Sequence, residues 1–151
     1  MRKVYKFSVL CLGFLVLFIA CEEENESMVS LNFSTESHNT GQNCMLCHKE
    51  GGGGEGWFMT AGTVYDSTQQ NISSNGNVLF SSNYDVSDEL ISEIEVDAKG
   101  NFYSTESINY GQTVYVGVRS VNGIVKRMQS AVNTGACNSC HGVSVEPIWV
   151  K

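Results

Sequence analysis

The chain is 151 residues long and carries a formal net charge of −7. This length is enough for one compact domain but not comfortably for two. The acidic excess argues against nucleic acid as a partner, since phosphate binding requires a positively charged surface. A single proline, 15 glycines and many Val, Ile, Tyr, Phe and Thr residues after position 57 favour β-structure and exclude a large all-helical enzyme.

The first 20 residues have the pattern of a secretory signal peptide. Three basic residues within 2–6 precede a weakly polar to apolar stretch over 7–20, which is shorter than the roughly 20 residues of a membrane-spanning helix. Residues 18–21 (FIAC) resemble the lipobox of bacterial lipoproteins, with Phe18 in place of the usual leucine. The resemblance implies cleavage before Cys21, lipidation of Cys21, and anchoring in the bacterial envelope, at the outer membrane on its periplasmic or cell-surface side. An ordinary signal peptide cut nearby is the alternative.

An acidic segment follows the predicted cleavage site. Residues 22–26 contain four glutamates, and apolar side chains are sparse before Leu31. This composition predicts a solvated tether over 21–37 that holds the domain off the membrane. Without the signal peptide, 6 basic and 16 acidic residues remain, a net charge of −10.

Two C-x-x-C-H sequences stand near the two ends of the predicted mature chain, at 44–48 and 137–141. This pattern is the attachment signature of c-type haem. Two thiols three positions apart can bond the two vinyl-derived carbons on one edge of the porphyrin, and the adjacent histidine then lies under the iron. The sequence therefore predicts two covalently attached haem c groups. Their thioether cysteines are Cys44, Cys47, Cys137 and Cys140, and their proximal iron ligands are His48 and His141.

Two haem-free alternatives remain open. The four thiols could bind one zinc ion, although the two pairs lie about 90 residues apart along the chain where 15 to 20 is usual. The pairs could instead form disulfides in an exported protein. Neither alternative explains why a histidine follows each pair.

The residues after the first motif divide the remaining chain. Glycines at 51–54 and 56 predict a hinge that ends a first haem-binding segment over 38–56. Short β-rich runs follow at 57–65, 77–80, 90–96, 101–104 and 113–119. Partial alternation in these runs and the turn sequence Asn122-Gly123, a signal for a two-residue hairpin, predict an antiparallel β-sandwich over 57–127. A second haem-binding segment then spans 128–151.

Two stretches of the predicted sandwich resemble a known family. Residues 61–66 (AGTVYD) and 96–103 (VDAKGNFY) look like the transthyretin-like sandwich of carboxypeptidase regulatory domains, over roughly residues 57–121. With a C-x-x-C-H on each side, the arrangement is similar to a group of exported bacterial di-haem cytochromes built on such a sandwich. The resemblance implies a mainly β, transthyretin- or immunoglobulin-like fold that carries haem on its terminal segments, with the sandwich setting the distance between the haems.

The sixth iron ligand is open to several side chains. His38 is the one histidine outside the two motifs and stands six residues before Cys44, so it is the candidate at the first haem. Met128 and Met59 are the thioether candidates at the second haem. An iron with an open sixth position would instead allow peroxidase chemistry or gas sensing.

These residues together predict an electron-transfer protein rather than an enzyme, because no nucleophile, base and orienting residue stand together in the sequence. The net charge of −10 predicts docking on a basic patch of a redox partner protein. The other predicted contacts are with the membrane, through the N-terminal lipid, and with further copies of the chain. The rival functions are a five-coordinate haem peroxidase or gas sensor, and a haem-free binding module stapled by zinc or disulfides.

Overall fold

The computed structural model describes residues 25–151, and in this part of the chain two β-sheets form a sandwich. The predicted mainly β, antiparallel-rich sandwich is confirmed. The first sheet has the order β4-β1-β7 and the second the order β3-β2-β5-β6. The strands are β1 (Thr60–Tyr65), β2 (Asn77–Ser81), β3 (Leu90–Glu95), β4 (Asn101–Ser104), β5 (Tyr115–Arg119), β6 (Val125–Arg127) and β7 (Ile148–Trp149). No helix within residues 25–151 is long and apolar enough to cross a bilayer.

The core lies between the two sheets and is made by alternate residues of their strands. Val78 and Phe80 of β2 face Val64 of β1 and Phe102 of β4, and all four side chains are buried. Alternate residues of a strand point to opposite faces of its sheet, so one face of each strand fills the core. In β1, however, residues 60–64 are all buried, because the outer face of this strand is also covered.

One detail of the predicted strands is corrected, and one strand is added. The hairpin between β5 and β6 has a three-residue loop rather than a two-residue one, because the Ser120 N–H donates to Ile124 O at 2.8 Å and only Gly123 of the loop has a positive φ, 81°. The further strand, β7, which was not predicted separately, lies within 128–151 and pairs parallel to β1 at Val64 and Tyr65.

The acidic tether prediction over 21–37 is corrected for the part of that segment that the structure describes. Ser30 is buried, and its N–H donates to Tyr103 O at 2.9 Å along the free edge of β4. The Ser30 hydroxyl also donates to Glu95 O at 2.5 Å. The chain is thus bound to the sandwich here. The predicted signal peptide and Cys21 lie outside the described residues.

Candidate functional site

The first C-x-x-C-H motif forms a single 3₁₀ turn, here called the first cysteine turn (residues 44–48). Asn43 caps it, since its side-chain oxygen accepts from the Met45 N–H at 3.2 Å. The N–H groups of Cys47 and His48 both donate to Cys44 O, at 3.1 and 3.0 Å. These bonds hold the two cysteines and the histidine in one compact turn.

The second motif forms the same turn at the other end of the sandwich sequence, here called the second cysteine turn (residues 137–141). The N–H groups of Cys140 and His141 both donate to Cys137 O, at 3.2 and 3.0 Å. The two motifs share no identical intervening residues. The shared backbone hydrogen bonds therefore do not depend on the two residues between the cysteines.

Both motif histidines are oriented by the same kind of bond. His48 Nδ1 lies 2.7 Å from Glu55 O, and His141 Nδ1 lies 2.7 Å from Glu146 O. A carbonyl oxygen can only accept, so Nδ1 carries the proton in each ring and the lone pair of the neutral imidazole is on Nε2. When one ring nitrogen of a histidine binds a metal, the other N–H commonly donates to a carboxylate, a backbone carbonyl or water, and the carbonyl is the partner here.

The glycine-rich segment after the first turn is a fitted loop, which corrects the prediction of a hinge. The Gly54 N–H donates to Cys47 O at 3.0 Å, and the next residue supplies the carbonyl that binds His48. A Cβ at Gly54 would lie 2.7 to 2.9 Å from three atoms of the His48 ring, and one at Gly52 would lie 2.0 Å from Cys47 O. Glycine is needed at both positions because the backbone passes against the turn.

Gly54→Ala is expected to displace the His48 ring and to lower the free energy of unfolding by about 1–3 kcal/mol, the usual cost of forcing a methyl group into a packed site. Chemical denaturation measures this loss. Gly53→Ala is the matched control, because a Cβ at Gly53 meets nothing within 4 Å. Equal stability of the two variants would contradict the fitted loop.

A cavity of about 700 Å³ opens beside the first cysteine turn. Aromatic rings form its floor: His48 stacks on Phe58 with ring centres 4.2 Å apart, and Phe58 stacks on Tyr103 at 4.7 Å. The charged residues that line it, Glu36 and Glu55, are both acidic.

His38 lines the same cavity as His48. The two ring centres are 5.7 Å apart and the ring planes are tilted by 37°. His48 is buried, whereas His38 is exposed. The structure thus brings together the proximal and distal ligands predicted for the first site.

A second cavity, of about 460 Å³, contains the second cysteine turn and reaches between the sheets. Phe102 and Val116 line its apolar side. Met128 lines it as well, as predicted for a ligand at this site, whereas Met59 lines neither of the two cavities. The lining of this cavity is charged differently from that of the first, because it includes Lys126 and Arg127 in addition to Glu146.

Lys126 and Trp149 lie together in the lining of the second cavity. The Lys126 Nζ lies 2.9 Å from the centre of the Trp149 ring and 3.6 Å from a Glu146 carboxylate oxygen. Desolvation lowers the pKa of Lys126, an effect that the nearby Glu146 carboxylate partly opposes. Lys126 is thus held between the Trp149 ring and the Glu146 carboxylate.

The second cysteine turn packs on the inner face of the first sheet. A Cβ at Gly62 would lie 2.6 Å from the Phe102 ring and 3.0 Å from Cys137 Cβ. Phe102 and Cys137 belong to the core between the sheets. The chain enters this turn along the edge of β1, where the Ala61 N–H donates to Gly135 O at 2.9 Å, and returns to the same strand as β7.

The first cysteine turn packs on the outer face of the same sheet. Ala61 and Tyr103, paired in the register of β1 and β4, contact Phe58 and Cys44 there. The side chain of Asn138 links the two segments by donating to Gly41 O at 3.2 Å. One sheet rather than the whole sandwich therefore separates the turns, which corrects the expected spacing.

This arrangement bears on both haem-free alternatives. The two cysteine pairs lie on opposite faces of a sheet, and within residues 25–151 no group of three or more His, Cys, Asp or Glu side chains is placed to share a metal ion. Burial raises the pKa of the Cys44 thiol and raises that of Cys137 to about 12. A reactive thiolate needs a lowered pKa, so Cys44 and Cys137 are not suited to be the nucleophile of a redox-active pair.

Sequence reasoning missed the side chains and carbonyls that support the motif histidines. The Phe58 and Tyr103 rings had no signal beyond ordinary strand composition, and the carbonyls of Glu55 and Glu146 belong to the backbone of loops.

Comparison of the chain with protein-family models, with curated proteins and with solved structures finds no match in any of the three.

Proposed function

We propose that the protein is an exported, lipid-anchored di-haem c-type cytochrome that transfers single electrons. The observation that carries the proposal is the repeated histidine geometry: in both C-x-x-C-H turns Nδ1 donates to a backbone carbonyl at 2.7 Å, which leaves Nε2 available for iron. The sequence-based assignment of haem depended only on the spacing of the cysteines and histidines. The common orientation is an independent reason to assign both motifs the same chemistry.

The residues of each site fit a covalently bound haem. Cys47 and Cys140 are exposed, while Cys44 and Cys137 are partly buried at the cavity walls. The cavities, of about 700 and 460 Å³, are within the range of roughly 300–1,000 Å³ found for small-molecule and cofactor sites. When bound, haem supplies a one-electron couple between ferrous and ferric iron.

The chain's own residues orient the ligands and set the environment of each site. Glu55 O and Glu146 O fix the two imidazole rings. His38 is the proposed sixth ligand at the first site and Met128 at the second. Methionine ligation raises the reduction potential relative to histidine, and Lys126 and Arg127 at the second cavity favour the reduced iron electrostatically. We therefore propose that the second site has the higher potential.

Expression together with the cytochrome c maturation machinery tests the proposal. We expect an intact mass that includes two haems and a reduced spectrum with low-spin bands, because both irons have two protein ligands. Carbon monoxide should leave that spectrum largely unchanged. Rapid adduct formation would favour the five-coordinate peroxidase or sensor, and a colourless protein without added mass would leave a haem-free sandwich.

A further inference from the structure

We infer that the face carrying the first cysteine turn lies against the bilayer surface, an inference that rests on the lipid anchor in the proposed function. Asn25 is bound to the domain by two hydrogen bonds. Its Nδ2 donates to Trp57 O at 2.9 Å, and its Oδ1 accepts from the Trp57 N–H at 2.6 Å. The chain is thus fixed to the sandwich four residues after Cys21.

The fixed point lies beside the first site. Trp57 immediately precedes Phe58, whose ring stacks on His48 and whose N–H donates to His48 O at 3.1 Å. Three residues after Asn25, Met28 lines the first cavity, and its N–H donates to the Thr105 hydroxyl at 2.8 Å. The N-terminal chain is therefore attached to the sandwich directly beside the first site.

The length of the link limits how far the domain can move from the membrane. A fully extended chain spans at most about 3.3–3.6 Å per residue, so the four steps from Cys21 to Asn25 reach about 14 Å. A lipid on Cys21 places that residue at the bilayer surface. Asn25 is then held within about 14 Å of the lipid headgroups, and the first site lies beside it.

The second site is farther from Asn25, and therefore from the bilayer surface, than the first site. Its turn lies on the inner face of the first sheet, and Met128 follows β6, an edge strand of the second sheet. Packed sheets are about 10 Å apart. A membrane-bound redox partner would therefore meet the first site, and a soluble partner the second.

Spin labels test this orientation in the lipidated holoprotein. Haem attachment and lipidation use all five cysteines of the mature chain, so Ser27→Cys and Ser130→Cys, both at exposed positions, each add one reactive thiol. The protein is reduced to the ferrous low-spin state and bound to phosphatidylcholine vesicles that contain a gadolinium-chelating lipid. We expect the relaxation of the label at position 27 to be enhanced several-fold more than that at position 130.

A longer link provides the control. Insertion of twelve Gly and Ser residues between Glu24 and Asn25 adds a flexible span of about 20 Å, and the enhancement at position 27 should then fall towards that at position 130. Equal enhancement at both positions with the native link would overturn the inference, and so would a mass without acyl chains. A mass with acyl chains but no haem would overturn the cytochrome proposal instead. In that case the four motif cysteines would be free to react with the spin label, so the relaxation measurements would be repeated in a variant with serine at those four positions.

Discussion

If the protein holds the two proposed haems, its Soret circular dichroism is expected to differ in shape from the sum of its two one-haem variants. Cys44→Ser/Cys47→Ser removes the attachment site on the outer face of the first sheet, and Cys137→Ser/Cys140→Ser removes the one on the inner face. Transition dipoles that lie close together couple and give a two-signed band. With only one sheet between the turns, we expect that band in the parent protein and its loss in both variants.

Absorbance gives the control for this experiment. Each double variant should retain about half of the parent's haem absorbance, since one of two attachment sites remains. If the parent's dichroism equals the sum of the two variants at equal haem content, the sites do not act as neighbours across the sheet. Because the measurement reports proximity rather than turnover, it is independent of the identity of the electron donor and acceptor.

His38→Ala is expected to open the sixth position of the iron proposed for the first site. His38 and His48 line one cavity with ring centres 5.7 Å apart, so the variant should keep both haems but bind carbon monoxide at half of them. The ferrous spectrum with and without carbon monoxide measures this change, and added imidazole should reverse it by occupying the vacated position.

Met59→Leu is the matched control for this prediction, because Met59 lines neither cavity. It should leave both irons low-spin. A His38→Ala protein that resists carbon monoxide as fully as the parent does would show that another group ligates the first iron. Met128→Leu tests the second site in the same way. This variant should bind carbon monoxide at the haem proposed for that site, while the other haem stays low-spin.

The parts of the fold that could be predicted from the sequence are those that leave a side-chain pattern. Alternating valines at 114, 116 and 118 mark β5, and the two cysteine motifs mark the turns. Strand β7 has only two residues, which is too short for any periodicity to show. Its position is set by pairing with β1, a contact distant in sequence.

The two segments that were predicted to be flexible show why composition alone is insufficient. Polar and acidic residues over 22–27 are typical of a tether, yet shortly after them the Ser30 hydroxyl and N–H bind main-chain carbonyls of the sandwich. The glycines at 52 and 54 are typical of a linker, yet each permits a close backbone contact. The partner atoms are main-chain carbonyls at Ser30 and Gly52 and the His48 ring at Gly54. Composition alone shows none of these contacts, because each depends on how the folded chain passes its neighbour.

The same edge of β1 is occupied by a single bridge at Ala136 and then by β7 from Ile148, and the second cysteine turn lies in the loop between these two points. Both ends of this loop are fixed to the same rigid neighbour. The entropy of closing such a loop changes only slowly with its length. A change in the length of this loop beyond Cys137, whose side chain packs against the core, is therefore expected to cost little closure entropy while the pairing of Ala136 and β7 with β1 is kept.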